Sequence, residues 1–146
     1  MAIKIVIDAG HNPQTVNAGA EGFGYREQDI TYAVSQELAS LLRANGNFEV
    51  LVSRSTITTQ LGTSTATSLA TRVNQANTWG ADYFLSLHTN ASTSPDAGGS
   101  EAFVFNRPSS AASLAADILR GLNETTGLRN RGVGVRSGLY VLRKTA

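Results

Sequence analysis

The stretch IKIVIDAGHN, residues Ile3 to Asn12, decides how the rest of the chain can fold. Its first residues are β-branched or apolar almost without interruption, which is typical of a central parallel strand buried on both faces. The run then ends in Asp8-Ala9-Gly10 and delivers a histidine, His11. In α/β proteins, ligands usually bind where a strand ends and the chain turns towards a helix. A candidate site is therefore expected at this strand end.

The rest of the chain alternates between strand and helix patterns. We predict strands at 3–8, 48–53, 83–88, 102–106 and 139–142, and helices at 27–45, 69–79 and 108–127. A basic, glycine-rich loop is expected at 128–138. The apolar residues of the first helix that we expect to face the core are Ile30, Val34, Leu38 and Leu41. This order predicts an α/β fold with a single, mostly parallel twisted sheet and helices on both faces.

Composition narrows the classes of function. The 146 residues are enough for one domain with its own core. Twelve Lys and Arg against eleven Asp and Glu give a net charge of +1, which offers no electrostatic case for a nucleic-acid or anionic-membrane partner. There is no cysteine, so disulfides, thiolate metal sites and cysteine nucleophiles are excluded. No apolar run approaches the roughly 20 residues needed to span a bilayer, so we expect no membrane insertion.

The chain has two histidines, and each follows a predicted core strand. His11 ends the first strand, and His88 ends the run YFLSL. A lone histidine in such a place usually makes a local hydrogen bond. Two histidines at the carboxyl ends of core strands are better explained by a shared task. Neutral imidazole is the common nitrogen ligand of zinc, so we predict a zinc site.

A catalytic zinc site needs a third protein ligand, and Glu27 is the candidate. It begins the first predicted helix, after a loop long enough to fold back over His11. The alternative is an acid that interacts with the helix dipole, a role that Asp29 fills equally well. The chain contains no His-Glu-x-x-His motif, so this assignment rests on spacing.

Further blocks of sequence are spaced along the whole chain in one recognisable order. They are IVIDAGHN, YREQD around Glu27, Ser53-Arg54, the block of Leu69, Arg72, Ala76-Asn77 and Ala81-Asp82 leading into FLSLHTN, Gly99 to Ala102, Asn130 to Val133, and LYVLRKT. Together they resemble the zinc-dependent N-acetylmuramoyl-L-alanine amidases of the amidase-3 family, which includes bacterial autolysins and phage endolysins. Several ordered blocks make this resemblance far more specific than any single motif.

The resemblance implies a fold, a site and a reaction. Its metal ligands would be His11, Glu27 and His88, holding one zinc ion. The reaction would be hydrolysis of the amide between N-acetylmuramic acid and L-alanine in peptidoglycan. The side chains expected to contact substrate are Asn12, Asn90 and Arg131. Glu101 is the remaining catalytic candidate, as a proton-transfer group or as a group that orients a ligand histidine; the alternative is a strand charge that faces water.

The chain also departs from the family pattern. Family members continue past the Val-Leu-Arg segment into a strand whose glutamate moves the proton, whereas this sequence stops at Ala146. We therefore expect residues 1–146 to form an amidase-3-like catalytic domain that is incomplete at its C-terminus, with the last strand or strands missing. The alternative function is a peptidoglycan-binding fragment that holds zinc but is catalytically weak or inactive.

The segment from the N-terminus to Asn12 bears on the location of the protein and on whether it is a nucleotide-binding domain. The apolar stretch at the N-terminus is too short for a signal peptide and is interrupted by Asp8. We therefore expect the protein to stay cytoplasmic until it is released onto the cell wall, or to be exported by other means. We also expect a monomer. A nucleotide-binding domain would need a glycine-rich phosphate loop after the first strand. Asp8 to Asn12 matches neither GxGxxG nor GxxxxGK[ST], and a histidine there suits a metal better.

Overall fold

The structure is a computed structural model that describes residues 1–94 and 96–146. The chain divides into two compact units. The first unit contains Met1–Ala91 and Thr145–Ala146, and the second contains Ser92–Lys144. In chain order the elements are β1 (Ile3–Ala9), β2 (Glu21–Gly22), β3 (Tyr25–Arg26), α1 (Glu27–Asn45), β4 (Phe48–Val52), α2 (Thr65–Trp79), β5 (Tyr83–Leu87), β6 (Ser100–Val104), α3 (Ser110–Thr126), β7 (Asn130–Val135) and α4 (Tyr140–Lys144). The predicted α/β class is confirmed.

The first unit is built on a parallel sheet in the order β4-β1-β5. β1 is the central strand, and its residues Val6, Ile7 and Ala9 have no exposed surface. β1 is therefore covered on both faces, as the unbroken apolar run predicts. Ala9 pairs with Leu87 at the carboxyl ends of β1 and β5, so the residues that follow these two strands emerge at the same edge of the sheet.

Helix α1 packs on this sheet with an unexpected face. Its buried residues are Glu27, Gln28, Thr31, Ser35 and Ala39. The prediction that its apolar stripe faces the core was wrong, because Ile30, Val34 and Leu41 are 37%, 49% and 70% exposed. The buried residues recur every four positions and so share one side of the helix. That side carries Glu27 inwards, which rotates the apolar stripe away from the sheet.

Helix α2 begins at a capping box. The Ser64 hydroxyl accepts from the backbone N–H of Thr67, and the Thr67 hydroxyl caps the N–H of Ser64 in return. This helix starts four residues before the predicted Leu69. Val73 and Ala76 face the core as predicted, and Arg72 is buried beside them. A charged residue on the inward side of a helix requires polar partners there.

The second unit pairs β6 with β7 in parallel, with α3 packed against both strands. Two predictions for this part of the chain were wrong. The segment expected to be a loop contains β7, and the strand expected at 139–142 is the short helix α4. The N–H groups of Leu139 and Arg143 donate to the carbonyls of Arg136 and Leu139, so local bonds satisfy this backbone without a neighbouring strand.

The hydrogen bonds also group the strands differently from the one sheet that the sequence predicted. Besides the two parallel sheets, β2 and β3 form a small antiparallel hairpin directly before α1. An ion pair between Arg26 and Glu21, at 3.2 Å, closes its base. Within the described ranges, no helix combines the length and the apolar character that crossing a membrane requires.

Candidate metal centre

Three side chains of the first unit converge at the edge of the sheet. The ligand atoms of His11, Glu27 and His88 all lie within 4.8 Å of one another. The Glu27 carboxylate lies between the two rings, with Oε2 3.4 Å from His11 Nε2 and Oε1 3.2 Å from His88 Nδ1. The imidazole rings meet edge to face at 90°, with centroids 4.8 Å apart. The structure thus brings together the three residues that the sequence predicts as ligands.

Each ligand comes from a different element. His11 follows β1 by two residues, His88 follows β5 by one, and Glu27 opens α1. The pairing of β1 with β5 continues one residue beyond the strands, because the N–H of Gly10 donates to the Leu87 carbonyl at 3.0 Å. The register of the sheet is therefore what sets the two histidines side by side.

The orientation of the His11 ring follows from one hydrogen bond. Its Nδ1 lies 3.2 Å from the backbone carbonyl of Asn17. A carbonyl only accepts, so Nδ1 carries the proton, and in the neutral ring Nε2 keeps its lone pair. That lone pair is the one nearest Glu27. The backbone of His11 has a φ of 24°, which non-glycine residues rarely adopt.

Glu27 is buried and is held in its charged form. Burial raises the pKa of this carboxyl group, but hydrogen bonds from the N–H groups of Thr89 and Ala20 and the nearby His11 and His88 outweigh that effect. The pKa of Glu27 therefore lies below its ordinary value. The two N–H groups donate to separate carboxylate oxygens, at 2.9 and 3.1 Å, which fixes the plane of the carboxylate.

His88 is held in its neutral form. The His88 side chain is 48% exposed, and partial desolvation together with the neighbouring His11 lowers its pKa, which the Glu27 carboxylate opposes only in part. A neutral imidazole and an ionised carboxylate are the protonation states in which these groups bind a metal. The metal-free site is therefore already prepared for a cation at neutral pH.

Two glycines make room for the ligands. A Cβ added to Gly10 would lie 2.5 Å from His88 Cε1 and 2.5 Å from the Leu87 carbonyl oxygen. A Cβ on Gly19 would lie 2.8 Å from Glu27 Cβ and 2.9 Å from Glu27 Oε2. Any larger residue at either position would displace a ligand side chain. Gly10 therefore fits closely against His88, and Gly19 against Glu27.

A buried polar network lies behind His11. Arg72 pairs with Asp8, and Ser86 donates to the other Asp8 oxygen at 2.8 Å. Arg54 and Arg72 are 0% and 1% exposed. Burial and the charge of Arg72 lower the pKa of Arg54. The sequence placed both arginines only within blocks that resemble a family. For Arg72, an arginine on the core-facing side of a predicted helix was the signal that could have assigned it a role.

Asn12 belongs to the same network, and its predicted contact with substrate was wrong. It has no exposed surface. Its amide nitrogen donates to the carbonyls of Val16 and Leu61, and its oxygen accepts from the Leu61 N–H and from Arg72. An amide enclosed in this way braces the loop after β1. Asn90, by contrast, lies on the surface two residues after His88.

Glu101 and Arg131 lie in the second unit, on β6 and β7. Arg131 Nη2 is 3.5 Å from Glu101 Oε2, so the two form an ion pair. The Glu101 side chain is 22% exposed and that of Arg131 is 41% exposed. The roles predicted for these two residues, proton transfer and substrate contact, remain predictions.

The donor set of the centre suits a transition metal. Two imidazoles and one carboxylate match the nitrogen and oxygen ligands of catalytic zinc sites, whereas calcium and magnesium prefer oxygen alone. The three ligand atoms lie within 4.8 Å of one another, close enough for one ion to contact all of them. The residues therefore fit a single zinc ion.

Comparison with known proteins identifies the family of the chain. A family model described as N-acetylmuramoyl-L-alanine amidase, Amidase_3, matches residues 5–146. N-acetylmuramoyl-L-alanine amidase CwlM of Bacillus licheniformis is 34% identical over 146 residues, which cover 99% of this chain and 53% of that protein. The amidase LytC of Bacillus subtilis (strain 168) is 36% identical over 141 residues, covering 95% of this chain and 26% of that protein.

A solved structure gives the same result. The catalytic domain of CwlV, an N-acetylmuramoyl-L-alanine amidase from Bacillus (Paenibacillus) polymyxa var. colistinus, superimposes with a TM-score of 0.80 at 30% identity. The match covers 99% of this chain and 75% of that one. The chain belongs to the amidase-3 family of N-acetylmuramoyl-L-alanine amidases. It spans about half the length, or less, of the two curated relatives described above.

Proposed function

We propose that this chain binds one zinc ion through His11, Glu27 and His88 and hydrolyses the amide between N-acetylmuramic acid and L-alanine in peptidoglycan. The observation that carries the proposal is the convergence of the three ligand atoms within 4.8 Å, in a chain of the amidase-3 family. Its place of action is the bacterial cell wall, in the manner of an autolysin or a phage endolysin. We expect it to act as a monomer.

Three side chains would hold the ion, and nearby backbone groups orient two of them. His11 directs Nε2 into the site because Nδ1 is engaged by the Asn17 carbonyl. Glu27 is fixed by the backbone N–H groups of Ala20 and Thr89. When bound there, a zinc ion supplies Lewis-acid chemistry, which polarises a carbonyl and makes water more acidic.

The reaction adds water across the amide bond. The hydroxyl of water joins the lactyl carbonyl carbon, the carbon–nitrogen bond breaks, and the proton ends on the departing nitrogen of L-alanine. A carboxylate is suited to carry that proton, and Glu101 is the group proposed for it. Asn90 and Arg131 are the side chains proposed to contact the muropeptide.

The first experiment tests the reaction and its metal. The purified chain is incubated with peptidoglycan sacculi and zinc, and new L-alanine amino termini are labelled and counted. We expect new L-alanine amino termini to appear, a chelator to abolish their formation and added zinc to restore it. The variant His88→Gln should form none. A chain that binds zinc and sacculi but generates no new L-alanine amino termini would overturn the proposed hydrolysis and favour the wall-binding alternative.

The second experiment tests Glu101. The variant Glu101→Gln is expected to lower the rate by about 10²–10⁴-fold, the usual loss on removing one proton-transfer group. Glu124→Gln is the matched control, because Glu124 is an exposed helix residue whose side chain lies 4.0 Å from Arg120. Equal rates for the two variants would remove Glu101 from the mechanism while leaving the zinc site untouched.

A further inference from the structure

The backbone of His11 adopts a conformation that needs external support. Its φ of 24° lies outside the regions that side-chain-bearing residues favour. Such a conformation persists only where the surrounding structure over-determines it. The carbonyl of His11 is the group through which that support acts, because it accepts from two buried guanidinium groups.

Arg72 grips the chain on both sides of His11. From α2, its Nη2 donates to the His11 carbonyl at 3.0 Å and to Asn12 Oδ1 at 3.2 Å. Its Nη1 donates to the Ala9 carbonyl at 2.8 Å and pairs with the Asp8 carboxylate. One planar side chain thus spans four residues of the strand end, a fit that the fixed fork of a guanidinium provides.

Arg54 ties the same carbonyl to a second ligand's element. Its Nη1 donates to the His11 carbonyl at 3.2 Å and to the Gln28 carbonyl at 2.9 Å. Gln28 is the neighbour of Glu27 on α1. The Nη2 of Arg54 in turn donates to the Ile57 carbonyl at 2.8 Å. Arg54 therefore fixes the spacing between the backbones that carry His11 and Glu27.

Arg54 and Arg72 act on the candidate metal centre through the geometry of their hydrogen bonds and not through their charge. The buried charged side chains in the described part of the chain are Asp8, Glu27, Arg54 and Arg72. Asp8 offsets the charge of Arg72, and the remaining guanidinium charge of Arg54 repels a divalent ion, so charge does not favour metal binding here. Their contribution has to come from the hydrogen bonds that fix the ligands.

We propose that Arg54 and Arg72 are positioning residues for the metal: they hold the His11 backbone in its strained conformation so that its ring presents Nε2 to the ion. This inference rests on the proposed function, since it presupposes that the centre binds zinc. Both residues act through the ligands and neither contacts the metal or the substrate.

The test compares Arg-to-Lys variants of the whole chain with Co²⁺ as the probe. Arg54→Lys and Arg72→Lys keep the charge but lose the fork, and Arg43→Lys is the matched control. Arg43 is an exposed residue of α1 whose side chain donates to the Val50 carbonyl at 2.9 Å, away from the three candidate ligands. Co²⁺ affinity is measured by chelator competition, the visible absorption of bound Co²⁺ reports ligand geometry, and circular dichroism monitors the metal-free fold.

We expect Arg54→Lys and Arg72→Lys to lower Co²⁺ affinity by about 10–100-fold, the usual effect of losing a group that orients a ligand. Their Co²⁺ absorption bands should change shape, and Arg43→Lys should match the unsubstituted chain in both readouts. Variants that lose thermal stability yet keep affinity and bands would show a purely structural role and overturn the proposal.

The remaining outcomes are separable. An unsubstituted chain that binds neither Co²⁺ nor Zn²⁺ would refute the proposed function itself; binding that is unaffected by Arg54→Lys and Arg72→Lys would refute the positioning role alone. If one lysine variant does not fold, the other decides. If neither folds, Asp8→Asn, which removes the charge that orients Arg72, is judged by the same two readouts.

Discussion

Replacing Gly10 with alanine should damage the metal centre while leaving every ligand chemically intact. The added Cβ would lie 2.5 Å from His88 Cε1, 2.7 Å from His88 Nε2 and 2.5 Å from the Leu87 carbonyl oxygen. The carbonyl cannot move cheaply, because it accepts the Gly10 N–H at 3.0 Å next to the pairing of β1 with β5. The His88 ring therefore has to rotate, or the two strands have to separate at their ends.

Both responses have a measurable magnitude. Forcing an extra methyl group into a tightly packed interior typically costs about 1–3 kcal/mol of folding free energy. Displacing a ligand from its orientation typically costs about 10–100-fold in metal affinity, equivalent to about 1.4–2.8 kcal/mol. We expect Gly10→Ala to show both losses: a lower urea midpoint in the presence of chelator, and weaker Co²⁺ binding in competition titrations.

Gly22→Ala is the control for this prediction. Gly22 lies in the hairpin just before α1, and a Cβ there would meet no atom within 4 Å. It should match the unsubstituted chain in both assays. If Gly10→Ala keeps the urea midpoint and the Co²⁺ affinity of Gly22→Ala, the idea that this glycine is needed for the His88 ring is wrong.

Three further predictions concern stability. Gly121→Ala, in the middle of α3 with open space around it, should stabilise the chain by about 0.5–1 kcal/mol in urea unfolding; a loss would contradict the open environment. Leu41→Gln should change the free energy of unfolding by no more than about 0.5 kcal/mol because Leu41 is 70% exposed, whereas Leu119→Ala, at a residue 2% exposed, should cost about 2–5 kcal/mol. A larger loss from Leu41→Gln than from Leu119→Ala would show that the exposed face of α1 is wrongly assigned. Because the pKa of His88 in the folded chain lies below 6.5, the unfolded chain takes up a proton at this residue first as the pH falls. The metal-free chain should therefore lose stability as the pH falls through 6.5, and His88→Gln should flatten that part of the plot of unfolding free energy against pH; equal slopes for the two chains would refute this.

The two histidines of the candidate metal centre could be found from the sequence because strand ends are a local signal. The run before His11 and the run before His88 each predict a buried strand, and parallel strands place their carboxyl ends at one edge. Glu27 needed more than periodicity, since an acid at a helix start has an ordinary explanation. The sequence could not supply the register that pairs Ala9 with Leu87 and so brings the rings together.

Other features escaped prediction for physical reasons. The apolar stripe of α1 indicated the wrong inward face, because the site requires the polar side of that helix to lie against the sheet. The short apolar run 139–142 fits a strand or a helix equally, and local hydrogen bonds selected α4. The interior positions of Arg54 and Asn12 depend on contacts between residues distant in sequence, which no local pattern encodes.

The central position of β1 also determines when during synthesis the centre can form. Ile3 pairs with Phe48 and Ile5 with Tyr83, so the sheet is completed only by contacts between residues far apart in sequence. A growing chain carries His11 and Glu27 long before it carries His88, and two ligands hold a divalent ion weakly. If the centre binds an ion as proposed, metal uptake follows the docking of β5 and an unfinished chain stays without its ion. The bound ion would then join the ends of β1 and β5 and resist their separation.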